Sequence, residues 1–214
     1  MKTLYMYNSK NKIIPLSLFF LVLFVMVAFI ITTNTDIYNN FDKPISDYFH
    51  NIMLSNPTSL PRLITNFGDK YTILGFLATV TAICALLRLY KEEIFVFIAT
   101  GGDFIITGGL KLLFNRTRPV FENIFLKNYN YGFPSGHTTL AVCFYGAIMY
   151  LLIINIKNKT FKIISSFILS LLIFAIGFTR VYLGAHYLSD VIGGYCIGFF
   201  WLFLSIWIYN KYWR

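Results

Sequence analysis

Between an apolar run at 163–178 and another at 191–209 the chain reads Thr179-Arg180-Val181-Tyr182-Leu183-Gly184-Ala185-His186-Tyr187-Leu188-Ser189-Asp190. Each flanking run is close to the roughly twenty apolar residues that carry a helix across a bilayer. The stretch between them nevertheless holds an arginine, a histidine and an aspartate. Ionisable groups at the edge of a bilayer are costly, and they have partners or a function. His186 and Asp190 are four apart, so a helix beginning near His186 sets both on one face, with the carboxylate in reach of an imidazole N–H. That contact fixes the tautomer and leaves the second ring nitrogen unprotonated and outward. Arg180 stands beside it as a fixed cation, which suits an anionic substrate. The alternative at this point is a polar junction that only marks where the chain leaves the membrane.

Composition makes the membrane reading general. Of 214 residues 57% are hydrophobic and 13% charged, with a mean hydropathy of +0.65. A soluble domain carries about a quarter charged residues. The formal charge of +9 invites a nucleic-acid reading. The cations, however, sit singly between apolar runs, where membrane insertion needs them, and that partner is excluded. Cys84, Cys143 and Cys196 all fall inside apolar runs at no metal-ligand spacing, and read as small core residues.

Reading outward in both directions gives six spans: 13–33, 71–87, 94–110, 138–156, 163–178 and 191–209. The expected fold is all-α, a polytopic six-transmembrane-helix bundle forming a single domain over 1–214. The first run is too long for a secretory signal and lacks a small-residue cleavage site, so it reads as an uncleaved span. The 36–70 connection reads as a linker, with a short amphipathic helix in the interface as the alternative. Ile45, Tyr48, Phe49, Ile52 and Met53 there fall at helical spacing. His50 has no motif around it and reads as a surface histidine. In the third span Gly101-Gly102 and Gly108-Gly109 permit close helix contact, and Asp103 reads as buried polar packing.

Six spans put both termini on one side. That side carries ten Lys and Arg: Lys2, Lys10, Lys12, Arg88, Lys91, Lys157, Lys159, Lys162, Lys211 and Arg214. The other carries eight: Lys43, Arg62, Lys70, Lys111, Arg116, Arg118, Lys127 and Arg180. Setting aside Lys111, Arg118 and Arg180 as site residues leaves ten against five. The positive-inside rule then places the termini in the cytoplasm and every polar cluster on the outer face of the plasma membrane.

Two further clusters share that face. Lys111 and Arg118 are seven apart, two helical turns, so both emerge from one helix face about 10 Å apart. Pro119 then ends the helix at Arg118. Pro134-Ser135-Gly136-His137 opens the fourth span, where unpaired N–H groups and the helix dipole favour an anion. Gly136 allows close backbone approach, and His137 can donate a proton to a leaving oxygen. Guanidinium groups bond phosphate bidentately. No metal-spaced Asp/Glu/His cluster accompanies them, so neither metal nor cofactor is expected and protein cations hold the phosphate.

Lys111-x₆-Arg118-Pro119, Pro134-Ser135-Gly136-His137 and Arg180-x₅-His186-x₃-Asp190 resemble the three ordered motifs of the type 2 phosphatidic acid phosphatase (PAP2) superfamily. The motif region is 111–190. One departure is Thr179 before Arg180, where the family usually has serine; the hydroxyl is kept. The resemblance implies a metal-independent membrane phosphatase acting on a lipid phosphate. His186 would be the nucleophile, oriented by Asp190, giving a phosphohistidine. His137 would be the general acid. Lys111, Arg118, Arg180, Ser135 and the Gly136 backbone would hold the phosphate. Polyprenyl diphosphate, phosphatidic acid and phosphatidylglycerol phosphate are the substrate types it suggests, with membrane lipids as the surroundings. The superfamily also holds soluble vanadium haloperoxidases, which six spans argue against. A lipid phosphotransferase using the same site is the nearest alternative. A transporter would instead place ionisable groups near mid-membrane, where only Asp103 lies. Neither the lipid tail nor the oligomeric state is legible.

Overall fold

The structure, a computed structural model of the chain, describes residues 2–119 and 131–214. Lys127 and the side chains of Lys2 and Lys10, counted above, lie outside what it describes. Regular structure among the described residues is all helical. In chain order these are α1 (Lys2–Thr33), α2 (Thr35–Ile37), a five-residue π-helical turn (Tyr38–Asp42), α3 (Lys43–Ser55), α4 (Ser59–Asn66), α5 (Lys70–Leu87), α6 (Tyr90–Phe114), α7 (Gly136–Asn155), α8 (Lys159–Tyr182) and α9 (Leu188–Tyr212). The part of α1 from Lys12, together with α5, α6, α7, α8 and α9, is long and apolar enough to cross a membrane. The protein is a multi-pass bundle of six such helices. A bilayer offers backbone groups no water, so each crossing segment must pair its own N–H and C=O groups as a helix.

Burial orders the bundle. About half of the apolar window of α7 and α9 is buried, 56% and 50%, against 17% in α1, α5 and α8. The pair α7 and α9 is therefore the centre. Helices in lipid gain little from burying apolar surface and approach through small residues. On α9, Gly194 faces Thr138 and Ser135, and Gly198 faces Val142. Of the small residues expected to serve α6, Gly102 alone does so among the described contacts. It lies under the Trp201 ring, whose Nε1–H donates to the carbonyls of Ile98 (3.1 Å) and Ala99 (3.0 Å), while Gly101, Gly108 and Gly109 meet open space. Leu86, Ile105 and Leu113 are strongly exposed, which in a six-span bundle is a lipid-facing rim. The three cysteines are free and buried.

The 36–70 connection is not a linker. Helix α3 takes in every apolar position expected of it, and Phe49 sets its ring edge-on to Phe178 of α8 at 5.5 Å. Helix α4 packs on α8 as well. His50 in this segment is half-buried, not a surface group.

Another correction concerns the end of α6. It stops at Phe114, four residues before Arg118, because Asn115 turns left-handed (φ 48°, ψ 25°). Asparagine is among the few residues that take this conformation at modest cost. Lys111 therefore stands on the last helical turn and Arg118 on the loop beyond it, so they do not share a helix face. The last helix also starts later than His186 suggests, at Leu188 with Tyr187 as its cap.

Candidate active site

The C-terminal ends of α6 and α8 meet the N-terminal ends of α5, α7 and α9 around a cavity of about 570 Å³. Its wall includes Asp69, Lys111, Arg118, Gly136, His137, Arg180 and His186. Two chain reversals build it. After α8, Gly184 takes a left-handed φ of 63°, and the N–H groups of Ala185 and His186 both donate to the Arg180 carbonyl (2.9 and 3.2 Å). The turn folds His186 back over the end of α8. After α6, Asn115 sends the loop toward α9, where Arg118 Nη1 lies 3.5 Å from the Ala185 carbonyl. Residues 67 apart in sequence are thereby joined at one edge.

His186 is 1% exposed. Its Nδ1 stands 3.4 Å from Asp190 Oδ2, an oxygen that also accepts the Tyr187 N–H at 3.1 Å. With Nδ1 turned to the carboxylate, Nε2 is the nitrogen left for chemistry. Burial, then the charges of Arg118, Arg180, Lys111 and His137, hold the His186 pKa well below its ordinary 6.5. The ring is neutral at neutral pH, the state a nucleophile requires. The expected pairing of His186 with Asp190 is thus present, although His186 precedes the helix.

Three cations ring the imidazole. Lys111 Nζ donates to the Tyr131 carbonyl at 2.8 Å. Arg180 Nη1 donates to Thr65 Oγ1 at 2.9 Å, while its buried Nε–H has no hydrogen-bond partner among the described residues. A buried donor left unpaired is costly, and a phosphate oxygen would satisfy it. For Arg118 burial lowers the pKa, although Asp190 works the other way. Like charges held together at a cavity wall need an anion between them.

His137 occupies the first turn of α7, 26% exposed at its side chain, with Nε2 3.9 Å from Asp69 Oδ2. Ser135 caps that helix without bonding a backbone N–H; its Oγ accepts instead from Thr138 Oγ1 at 3.0 Å. The helix N-terminus is therefore not closed by its own side chain. Gly136 lies against Lys111, whose Cε would be 3.5 Å from an added Cβ.

The PAP2 superfamily profile matches residues 92–214, more than half of the chain and all three motifs. The chain belongs to the PAP2 superfamily. The phosphatidylglycerophosphatase B of Bacillus subtilis is 29% identical over 196 residues, covering 89% of this chain and 92% of that protein. The crystal structure of a transmembrane PAP2-type phosphatidylglycerolphosphate phosphatase from Bacillus subtilis superposes with a TM-score of 0.82 at 26% identity, over 93% of this chain and 98% of that one. The lipid phosphate phosphatase delta of Arabidopsis thaliana is 36% identical over 80 residues, 36% of this chain and 19% of that protein. Aquifex aeolicus LpxE shares the fold, with a TM-score of 0.55 at 24% identity over 75% of this chain and 93% of that one.

Within this PAP2 fold most residues expected from the three motifs converge. Lys111, Arg118, Gly136, His137, Arg180 and His186 line the one cavity, and Asp190 stands directly behind His186. Ser135 does not join them: it is fully buried and absent from the cavity wall. Asp103 reaches further into the bundle, accepting from Thr107 (3.0 Å) and Thr139 (3.2 Å) and so pinning α6 to α7 at the cavity floor. No group of three or more His, Cys, Asp and Glu side chains placed to hold a metal occurs among the described residues. Sequence reasoning missed Thr65, Asp69, Asp42 and Arg116. Asp69 had a signal, an aspartate directly before an apolar run, and it does cap α5 by accepting the Tyr71 N–H at 2.8 Å. Thr65 and Asp42 had none.

Proposed function

We propose that this protein removes the phosphate of a lipid phosphomonoester of the phosphatidylglycerol phosphate type through a phosphohistidine on His186. The observation that carries the reading is His186, neutral and backed by Asp190, facing a cavity ringed by Lys111, Arg118 and Arg180. Nε2 attacks phosphorus, a P–N bond forms, and the P–O bond to the lipid breaks. His137 gives its proton to the departing oxygen, then takes one from the water that splits the P–N bond and returns His186. The three cations offset the charge on the transferring group. Relatives named for phosphatidylglycerophosphate, similar over nine-tenths of the chain, support the headgroup. Tyr71, Phe104 and Leu140 supply an apolar part of the cavity wall, and Tyr71 and Phe104 are exposed on the rim of the bundle. In this reading an acyl chain would lie against these side chains, next to the phosphate site.

The whole of 1–214 acts as one domain in this reading, since Thr65 and Asp69 of the first third touch Arg180 and His137. The site lies on the outer face of the plasma membrane with the termini in the cytoplasm. Arg116, 16% exposed at its side chain and paired with Asp42 and Asp190, still counts among the cations of that face, so the asymmetry supporting this orientation stays at ten against five.

Phosphate release by purified protein tests the function, using phosphatidylglycerol phosphate, phosphatidic acid and a polyprenyl diphosphate in mixed micelles with EDTA. The first should give the highest kcat/KM. A preference of more than tenfold for the diphosphate would overturn the substrate assignment.

A further inference from the structure

A buried ion-pair chain lies behind the site and takes no part in the steps above. Asp42 closes the π-helical turn and is fully buried. Its Oδ1 accepts the Ser189 N–H (3.0 Å), and its Oδ2 accepts from Ser189 Oγ (2.6 Å) and from Arg116 Nη2 (2.6 Å). The other terminal nitrogen of Arg116 donates to Asp190 Oδ1 and to Ser189 Oγ (2.7 Å). The second oxygen of Asp190 is the one that faces His186. The guanidinium also lies over the Tyr187 ring at 5.1 Å, and Tyr38 from the same π-helical turn meets that ring edge-on.

Arg116 sits in the loop between Lys111 and Arg118, yet it points away from the cavity that those two line. It is the cation between two carboxylates that would otherwise stand buried side by side, an arrangement that repulsion and desolvation oppose. One carboxylate oxygen of Asp190 is spent on Arg116, and only the other remains for His186. The guanidinium fork thereby sets the plane of the Asp190 carboxylate. A lysine point charge could not bridge both acids in the same geometry.

We propose that Arg116, held from its far side by Asp42, is a positioning residue for phosphoryl transfer that fixes the Asp190 carboxylate on His186. The inference rests on His186 being the nucleophile. It makes the turn before α3 part of the catalytic apparatus, although no motif reaches it.

The test is steady-state hydrolysis of phosphatidylglycerol phosphate by full-length protein in mixed micelles, for wild type, Arg116→Gln, Arg116→Lys, Asp42→Asn, Asp190→Asn and the Arg116→Gln/Asp190→Asn double variant. Arg116→Gln should lower kcat about 10- to 100-fold, by analogy with the loss of an outer partner behind a metal-bound histidine, with KM within about threefold because Arg116 touches no substrate. Arg116→Lys should recover part of the loss. In the Asp190→Asn background Arg116→Gln should cost less than about twofold more, because its effect passes through Asp190. A merely structural role would add its full loss in either background. Should Arg116→Gln not fold, Asp42→Asn in the two backgrounds reads the same coupling with a smaller loss. An unchanged kcat, a raised KM at constant kcat, or additive losses would overturn the inference. A wild type that releases no phosphate from any lipid would instead overturn the phosphatase reading beneath it.

Discussion

His186 and His137 face one cavity from different helix ends and are held in opposite ways. His186 is 1% exposed and backed by a carboxylate that is itself tied to backbone and to the half-buried Arg116. His137 is 26% exposed at its side chain, and the acid it faces, Asp69, is 36% exposed at 3.9 Å. The difference suits the two chemical tasks proposed for them. A nucleophile must be aimed at phosphorus in line with the leaving group, so its ring is fixed from behind. A general acid must exchange its proton with water on every turnover and reach an oxygen of the arriving substrate, which partial exposure permits.

The largest effect should come from the fixed side. His186→Ala should abolish turnover, by more than about 10⁴-fold, and with it the acid-labile label trapped when a reaction with radiolabelled phosphate lipid is quenched. Label persisting on that variant would remove the nucleophile assignment. His137→Ala should slow phosphorylation by a lipid alkyl phosphate about 10²–10⁴-fold but spare the phosphorylation burst with an aryl phosphate, whose leaving group needs no proton. Label should then accumulate, because the water that splits the intermediate has lost its base. Equal losses on both substrates would erase the division of labour between the two rings.

The pH profile sharpens the contrast without a mutation. As the proposed nucleophile His186 would act when neutral, and burial together with Arg118 and its neighbouring cations depresses its pKa. Activity should therefore persist below pH 6.5, with the acid limb of kcat/KM in the free enzyme falling under that value. Arg118→Gln removes one of the depressing charges, so its limb should move upward toward the ordinary histidine value even as kcat falls. A limb at or above 6.5 in the wild type would mean that the cations do not govern His186. The smallest effect belongs to the open side. Asp69→Asn should cost less than about fivefold in kcat, as expected for a long, partly exposed pair. A loss rivalling that of Asp190→Asn would show His137 to be as firmly oriented as its partner.

How much of this was legible varies residue by residue, for physical reasons. Lys111, Arg118, His137, Arg180 and His186 stand in short motifs, and each motif sits where an apolar run breaks, so their shared face followed from the count of spans. The path of the chain between Lys111 and Arg118 was not legible from their spacing, because Asn115 and not Pro119 ends α6. Ser135 belongs to a motif but turns its hydroxyl to Thr138, away from the cavity. Arg116 read as one more loop cation, since nothing local distinguishes it.

By itself the sequence determined the six crossing helices and the gathering of the polar motifs at one end of the bundle. Both depend on local properties: twenty apolar residues in lipid must close their own backbone hydrogen bonds, and charged residues must stay at the edges. Only the tertiary structure decided that Asp42 meets Arg116 and Ser189, that Thr65 meets Arg180 and that Trp201 covers Gly102. These pairs are separated by 74, 147, 115 and about 100 residues. Their contacts arise from how α4, α6, α8 and α9 settle against one another, where burial leaves each carboxylate, hydroxyl and guanidinium few partners to choose from.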